Sequence, residues 1–98
     1  MCFTMDEIIQ KSVPLAQKYG VKRLGLFGSY ARGEAKEESD LDFLINEGNM
    51  RGLIQYMSFV NDLEDAFGCH VDVVMDGIRD QEFLNIIKKD EVVLYEAQ

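Results

Sequence analysis

Glycines at positions 20, 28, 48, 68 and 77 punctuate the chain, and the apolar spacing between them switches between helical and extended, dividing it into alternating helices and strands. Thr4-x-x-Glu7 reads as a capping box that opens a helix. Met5, Ile8, Ile9, Ser12, Val13 and Ala16 then share one helical face as far as Gly20, and Pro14 inside that run predicts a kink or a split. Residues 22–27 read as a strand, Gly28-Ser29 as a sharp turn, and residues 29–32 as a short helix with Ser29 at its cap. A polar loop over 34–39 leads to a second strand at 41–45 and a turn at 46–49. Helical spacing returns over 50–67, where Leu53, Ile54, Met57, Val60, Leu63 and Phe67 form the predicted inner stripe. A third strand follows at 70–75, a helix at 80–89 with Phe83, Leu84 and Ile87 inward, and a last strand at 92–95.

This order, α-β-α-β-α-β-α-β, predicts an α/β (α+β) chain with a small mixed sheet and flanking helices. The connection over 46–69 is long enough for a helical crossover between parallel strands, whereas 28–40 suits an antiparallel pair equally well. With 98 residues there is room for one core, so residues 1–98 are read as a single domain. No apolar run reaches the length of a membrane span, and the first residues lack the pattern of a signal peptide, which makes a cytoplasmic protein the expectation. Cys2 and Cys69 are too few for a disulfide framework and are expected to be reduced, Cys69 serving as a small buried apolar residue.

The second strand region carries the chemistry. Side chains alternate along a strand, so Asp40, Asp42 and Leu44 fall on one face and Leu41, Phe43 and Ile45 on the other. Two neighbouring carboxylates repel each other unless a cation sits between them. In the third strand His70, Asp72 and Val74 share a face, and if the two strands are adjacent Asp72 joins the other two aspartates. Three clustered carboxylates are hard oxygen ligands suited to Mg²⁺, which shares its coordination sphere with waters and substrate phosphates. Gly28 lets the backbone come close to a phosphate, and the helix that Ser29 opens presents free N–H groups to an anion.

Gly28-Ser29, a ten-residue gap and Asp40-x-Asp42 together resemble the signature of the DNA polymerase β-like nucleotidyltransferase superfamily. The longer stretch Phe27-Gly28-Ser29-Tyr30-Ala31-Arg32-Gly33-Glu34-Ala35, ending in Ser39-Asp40-Leu41-Asp42, resembles its minimal nucleotidyltransferase (MNT) subfamily, over roughly residues 13–95. Members of that subfamily are often encoded beside a HEPN-domain protein as toxin–antitoxin pairs. The resemblance implies a polymerase β-like fold in which Asp40 and Asp42 bind two Mg²⁺ ions and Asp72 completes one site and helps deprotonate the acceptor. It further implies that Gly28 and Ser29 hold the β- and γ-phosphates of ATP, and that Arg32 contacts phosphate or a partner. The plainer readings are that Asp40 is a turn residue, that Asp72 is exposed on an edge strand, that Arg32 makes a surface ion pair, and that Tyr30 and Tyr56 pack or meet a partner. His70, the one histidine, lacks the companions of an imidazole-based metal site and reads as structural or near the nucleotide.

Ten basic and eighteen acidic residues give a net charge of −8, which weighs against direct nucleic-acid binding and suits a metal–nucleotide substrate or a basic protein partner. The leading expectation is an enzyme that moves AMP from ATP to a hydroxyl, by resemblance a tyrosine of a HEPN ribonuclease toxin with which it forms a hetero-oligomer. The alternatives are a non-catalytic antitoxin that masks the toxin by binding, and transfer to a small molecule such as an aminoglycoside.

Overall fold

The structure, a computed structural model, describes residues 3–77 and 80–97. Cys2, for which a reduced thiol is expected, lies outside them. The elements run α1 (Met5–Tyr19), β1 (Arg23–Phe27), α2 (Gly28–Arg32), β2 (Leu41–Asn46), α3 (Gly52–Phe67), β3 (Val71–Met75), α4 (Gln81–Asp90) and β4 (Val92–Glu96).

The expected mixed sheet is present, with strand order β3-β2-β1-β4. β1 runs antiparallel to β2 and β4, while β2 and β3 are parallel and joined by the α3 crossover. Thr4 opens α1 with a complete capping box: its hydroxyl accepts from Glu7 N–H at 3.1 Å, and its own N–H donates to Glu7 Oε1 at 3.0 Å. Gly20 closes the helix in the left-handed conformation. Of the two expected effects of Pro14, the split is not found: one helix runs from Met5 to Tyr19. Proline removes the N–H that would reach the Gln10 carbonyl, and both residues lie on the exposed side where water can take that carbonyl.

The two faces of the sheet are unequal. Leu24, Leu26, Leu41, Phe43, Ile45 and Val71 point to one side, where they form the main core with Ile8 and Ala16 of α1 and Phe59, Leu63 and Phe67 of α3. On the other side a smaller cluster joins Leu44 to Leu84 and Ile87 of α4, with Phe27 and Val74 against it. Strand alternation thus sorts the residues as expected, but α3 departs from the predicted stripe. Phe59 is fully buried, while Leu53 is 70% exposed, Ile54 84% and Met57 56%. The first half of α3 is apolar on nearly every side, so spacing alone does not select the buried face. Phe83, expected inward, is 42% exposed. Among the described residues no helix is long and apolar enough to cross a membrane.

Candidate active site

α4 lies on the second sheet face against Leu44, Phe27 and Val74. Where β1 finishes and β2 and β3 begin, Asp40, His70 and Asp72 are exposed, and this end of the sheet is open to solvent. Phe27, the last residue of β1, pairs with Asp42, and Asp42 pairs in turn with Asp72 across the parallel ladder. Two carboxylates therefore stand side by side on one face, one strand spacing apart. Asp40 precedes the first residue of β2, and one carboxylate oxygen each from Asp40 and Asp72 and a ring nitrogen of His70 all lie within 4.8 Å of one another.

The electrostatics record the crowding. Burial first, and then the charges of Asp72 and Asp40, push the Asp42 carboxyl up to about 6, with Arg32 drawing it down by less. A carboxyl that resists ionising beside two others is relieved by a divalent cation. The donor set fits such a group: carboxylate oxygens are the hard ligands that Mg²⁺ takes, and the open end leaves room for phosphate oxygens and water.

Gly28 follows Phe27 directly and starts α2 with a φ of +76°. A Cβ at this position would fall on Asp42 Oδ2, so only glycine lets the chain turn here against the carboxylate. Ser29 is the second residue of α2 and not its cap. The cap position is held by Phe27, which makes no side-chain hydrogen bond to the helix, because the strand runs into the helix without an intervening turn. Tyr30 is buried in the main core and anchors α2. Arg32 makes the plainer of its two expected contacts, an ion pair with Glu34 at 2.7 Å and Asp90 at 3.2 Å, and these two carboxylates raise its pKa further.

His70 has closer company than the sequence reading gave it. Its Nε2 lies 2.9 Å from Asp72 Oδ1 and its Nδ1 lies 3.1 Å from Glu64 Oε2. The bond to Asp72 is the main reason its pKa is raised. Glu64 Oε2 also accepts from Val71 N–H at 3.3 Å, and Tyr56 donates its hydroxyl to the Val73 carbonyl at 2.7 Å. These two α3 side chains occupy backbone groups on the outer edge of β3. Cys69 is free, as expected, but only half-buried; burial, and next Asp40, raise its thiol pKa.

A cavity of about 590 Å³ opens beside Asp42 and Asp72, between α3 and α4, with Met57, Val60, Val73 and Phe83 among its walls. The sequence reading missed it. Its signal is the surplus of apolar residues on α3, more than one helical face can bury.

The sequence matches the nucleotidyltransferase domain family over residues 10–95. A Methanocaldococcus jannaschii chain named as a candidate protein adenylyltransferase is 43% identical over 70 residues, covering 71% of this chain and 75% of its own length. The protein adenylyltransferase MntA of Thermococcus cleftensis is 43% identical over 61 residues, covering 62% of each chain. Among solved structures, a toxin–antitoxin complex with AMP-PNP superimposes with a TM-score of 0.78 at 21% identity, over 92% of this chain and 74% of that one. The complex of a tri-AMPylated Shewanella oneidensis HEPN toxin with its MNT antitoxin superimposes with a TM-score of 0.74 at 18% identity, over 97% and 75%. At these identities the two structures bear on the fold.

Proposed function

This chain belongs to the nucleotidyltransferase family, as an enzyme of the minimal, polymerase β-like kind, and from that premise we propose that it transfers AMP from ATP to a tyrosine hydroxyl of a HEPN-family toxin and thereby neutralises it. The observation that carries the reading is the pairing of Asp42 with Asp72, beside Gly28 and within reach of Asp40. The named activity of the adenylyltransferase relatives supports the transferred group, and the AMPylated HEPN toxin in the structural neighbour supports the class of acceptor.

Asp40, Asp42 and Asp72 would hold two Mg²⁺ ions. Bound Mg²⁺ supplies positive charge to the phosphate oxygens and lowers the barrier to displacement. The backbone at Gly28-Ser29 receives the β- and γ-phosphates and fixes the triphosphate against the aspartates. Asp72 accepts the proton of the acceptor hydroxyl. The acceptor oxygen bonds to the α-phosphorus as the bond from that phosphorus to the bridging oxygen breaks, and the electron pair leaves with pyrophosphate. Arg32, which already offsets the charge at Asp42, steadies the same cluster from the α2 side. The setting is cytoplasmic, where ATP and Mg²⁺ are supplied.

The test is incubation with α-labelled ATP, Mg²⁺ and the protein encoded next to this chain. Label is expected on a tyrosine of that protein, and Asp42→Asn is expected to abolish it. If no label moves at any metal concentration, the reading is wrong.

Neutralisation by masking is favoured by separate observations, the exposed Leu53 and Ile54 and the net charge of −8, which suit a partner with an apolar and basic surface. A double variant, Asp40→Asn with Asp42→Asn, separates the two. Protection that survives the double variant supports masking, and protection that disappears supports catalysis.

A further inference from the structure

The geometry points to the cavity between α3 and α4 as the seat of the acceptor's tyrosine ring, with Met57, Val60 and Phe83 deciding which hydroxyl is modified. This rests on the adenylyltransferase reading and deepens it.

The direction of the reaction selects the occupant. In an in-line displacement the attacking and leaving oxygens stand on opposite sides of the phosphorus. Across the open end of the sheet the order is Gly28 after β1, Asp42 on β2, then Asp72 on β3. With the β- and γ-phosphates at Gly28-Ser29, the leaving pyrophosphate lies on the β1 side of the carboxylates. The attacking hydroxyl must then approach from the β3 side, which is where the cavity opens.

Its walls suit a phenol. Met57, Val60, Val73 and Phe83 give it an apolar lining, and Asp42 and Asp72 line it as well. A tyrosine presents an apolar body with one polar tip, so the ring can lie among the apolar walls while its hydroxyl reaches Asp72. At about 590 Å³ the space exceeds one ring and admits the backbone that carries it. An added strand is disfavoured, because Glu64 and Tyr56 already occupy the Val71 N–H and the Val73 carbonyl on that edge.

The acceptor arrives on a macromolecule. Leu53, Met57 and Asn61 follow one another at four-residue spacing on α3, so the exposed apolar start of that helix continues into the cavity. A free small molecule would not use Leu53 and Ile54. The carboxylates that line the cavity and the net charge of −8 favour a partner whose tyrosine is set in a basic surface.

The inference is tested by methyl NMR on the full chain, following Met57, Val60 and Val73. N-acetyl-tyrosinamide at millimolar concentration is expected to shift all three, and N-acetyl-leucinamide and AMP to leave them in place. Shifts by AMP alone would make the cavity a nucleoside site, equal shifts by the leucine amide would make it an unselective apolar groove, and no shift by any probe would empty the idea. Each of these outcomes overturns it. With the neighbouring protein as acceptor, Met57→Asp and Phe83→Ser are expected to raise the acceptor KM about tenfold or more and to leave the KM for ATP within about twofold. The NMR experiment needs no transfer, so binding without transfer removes the enzymatic reading, whereas transfer without binding at these methyls removes only this inference.

Discussion

Asp42 and Phe43 are neighbours in the chain and answer to different demands. Phe43 points into the main core, is fully buried, and packs against Phe67 of α3 with ring centroids 6.2 Å apart. Asp42 points to the opposite face, beside Asp72, where crowding works against its own charge. One side of β2 is arranged to hold the fold together, and the other spends some of that stability on a cluster whose repulsion only a cation and a substrate relieve. If that contrast is right, substitutions one residue apart act on different measurements.

The largest effect is expected from Phe43→Ala. Removing a fully buried aromatic side chain costs about 3–5 kcal/mol, a large part of the roughly 5–15 kcal/mol available to a domain of this size. Urea unfolding with Mg²⁺ withheld measures it. A loss below about 1 kcal/mol would mean that the core closes around the gap and that this face is less tightly built than its burial indicates.

Asp42→Asn is expected to do the reverse. Transfer should fall by about 10³-fold or more, as when a group aimed at the transition-state charge is removed, which corresponds to about 4 kcal/mol on the barrier. The urea midpoint should stay the same or rise. Single-turnover transfer and unfolding on one preparation check both sides, and a variant that loses activity by unfolding would erase the contrast.

Gly28→Ala comes next, because it strikes the junction of the two demands. The added methyl would sit on Asp42 Oδ2 at a backbone φ of +76°. Strain of about 1–3 kcal/mol is expected for a non-glycine residue held in such a conformation, with transfer lowered by at least the equivalent factor. Ser29→Ala, which adds no strain, should lower transfer without moving the unfolding midpoint, and so separates phosphate binding from backbone strain.

How much of this was legible in the sequence follows from how local each signal is. The capping box at Thr4, the glycine closing α1 and the alternation along β2 depend on residues a few positions apart, and they appear where the sequence places them. Gly28, Asp40 and Asp42 stand within one short stretch. Asp72 needed one further step, that the 46–69 connection be a crossover between neighbouring parallel strands, and the sheet has that arrangement. What escaped was set by packing between distant elements. Phe59 is buried while Leu53, Ile54 and Met57 are exposed, and spacing does not tell them apart because α3 has more apolar residues than one face can bury. The spacing of Phe83 matches that of Leu84 and Ile87, but Phe83 lines the cavity. His70 reads from the sequence as structural or near the nucleotide; its contacts with the carboxylates of Glu64 and Asp72 show only in the structure.

A smaller effect should follow pH. The Asp42 carboxyl titrates at about 6 in the folded chain, against 3.8 for the ordinary side chain. Between those values the folded state holds a proton that the unfolded state has released, so the metal-free chain loses stability as pH rises from about 4 to about 6. Above pH 6 wild type should be less stable than Asp42→Asn by about 1–2 kcal/mol, below the full equivalent of the shift because solvent reaches the group. Near pH 4 the two should converge, and saturating Mg²⁺ at pH 8 should close the gap from the other side by binding the folded form. A gap that persists unchanged at pH 4 would place the cost of Asp42 in packing and not in its charge.

The smallest effect tests whether the contrast between the faces of β2 is repeated on α3. Phe59 faces the sheet and is fully buried, while Leu53, six residues earlier on the same helix, is 70% exposed. A surface substitution away from caps and buried networks changes stability by less than about 0.5 kcal/mol. Leu53→Ser should therefore leave the urea midpoint unmoved within that margin, where Phe59→Ala should cost about 3–5 kcal/mol. The apolar surplus of α3 then contributes nothing to the folding of the free chain, and its cost in exposed apolar surface is borne for contact with something else. If Leu53→Ser destabilised the chain nearly as much as Phe59→Ala, both sides of the helix would belong to this chain's own core, and no surface would be left there to receive a partner.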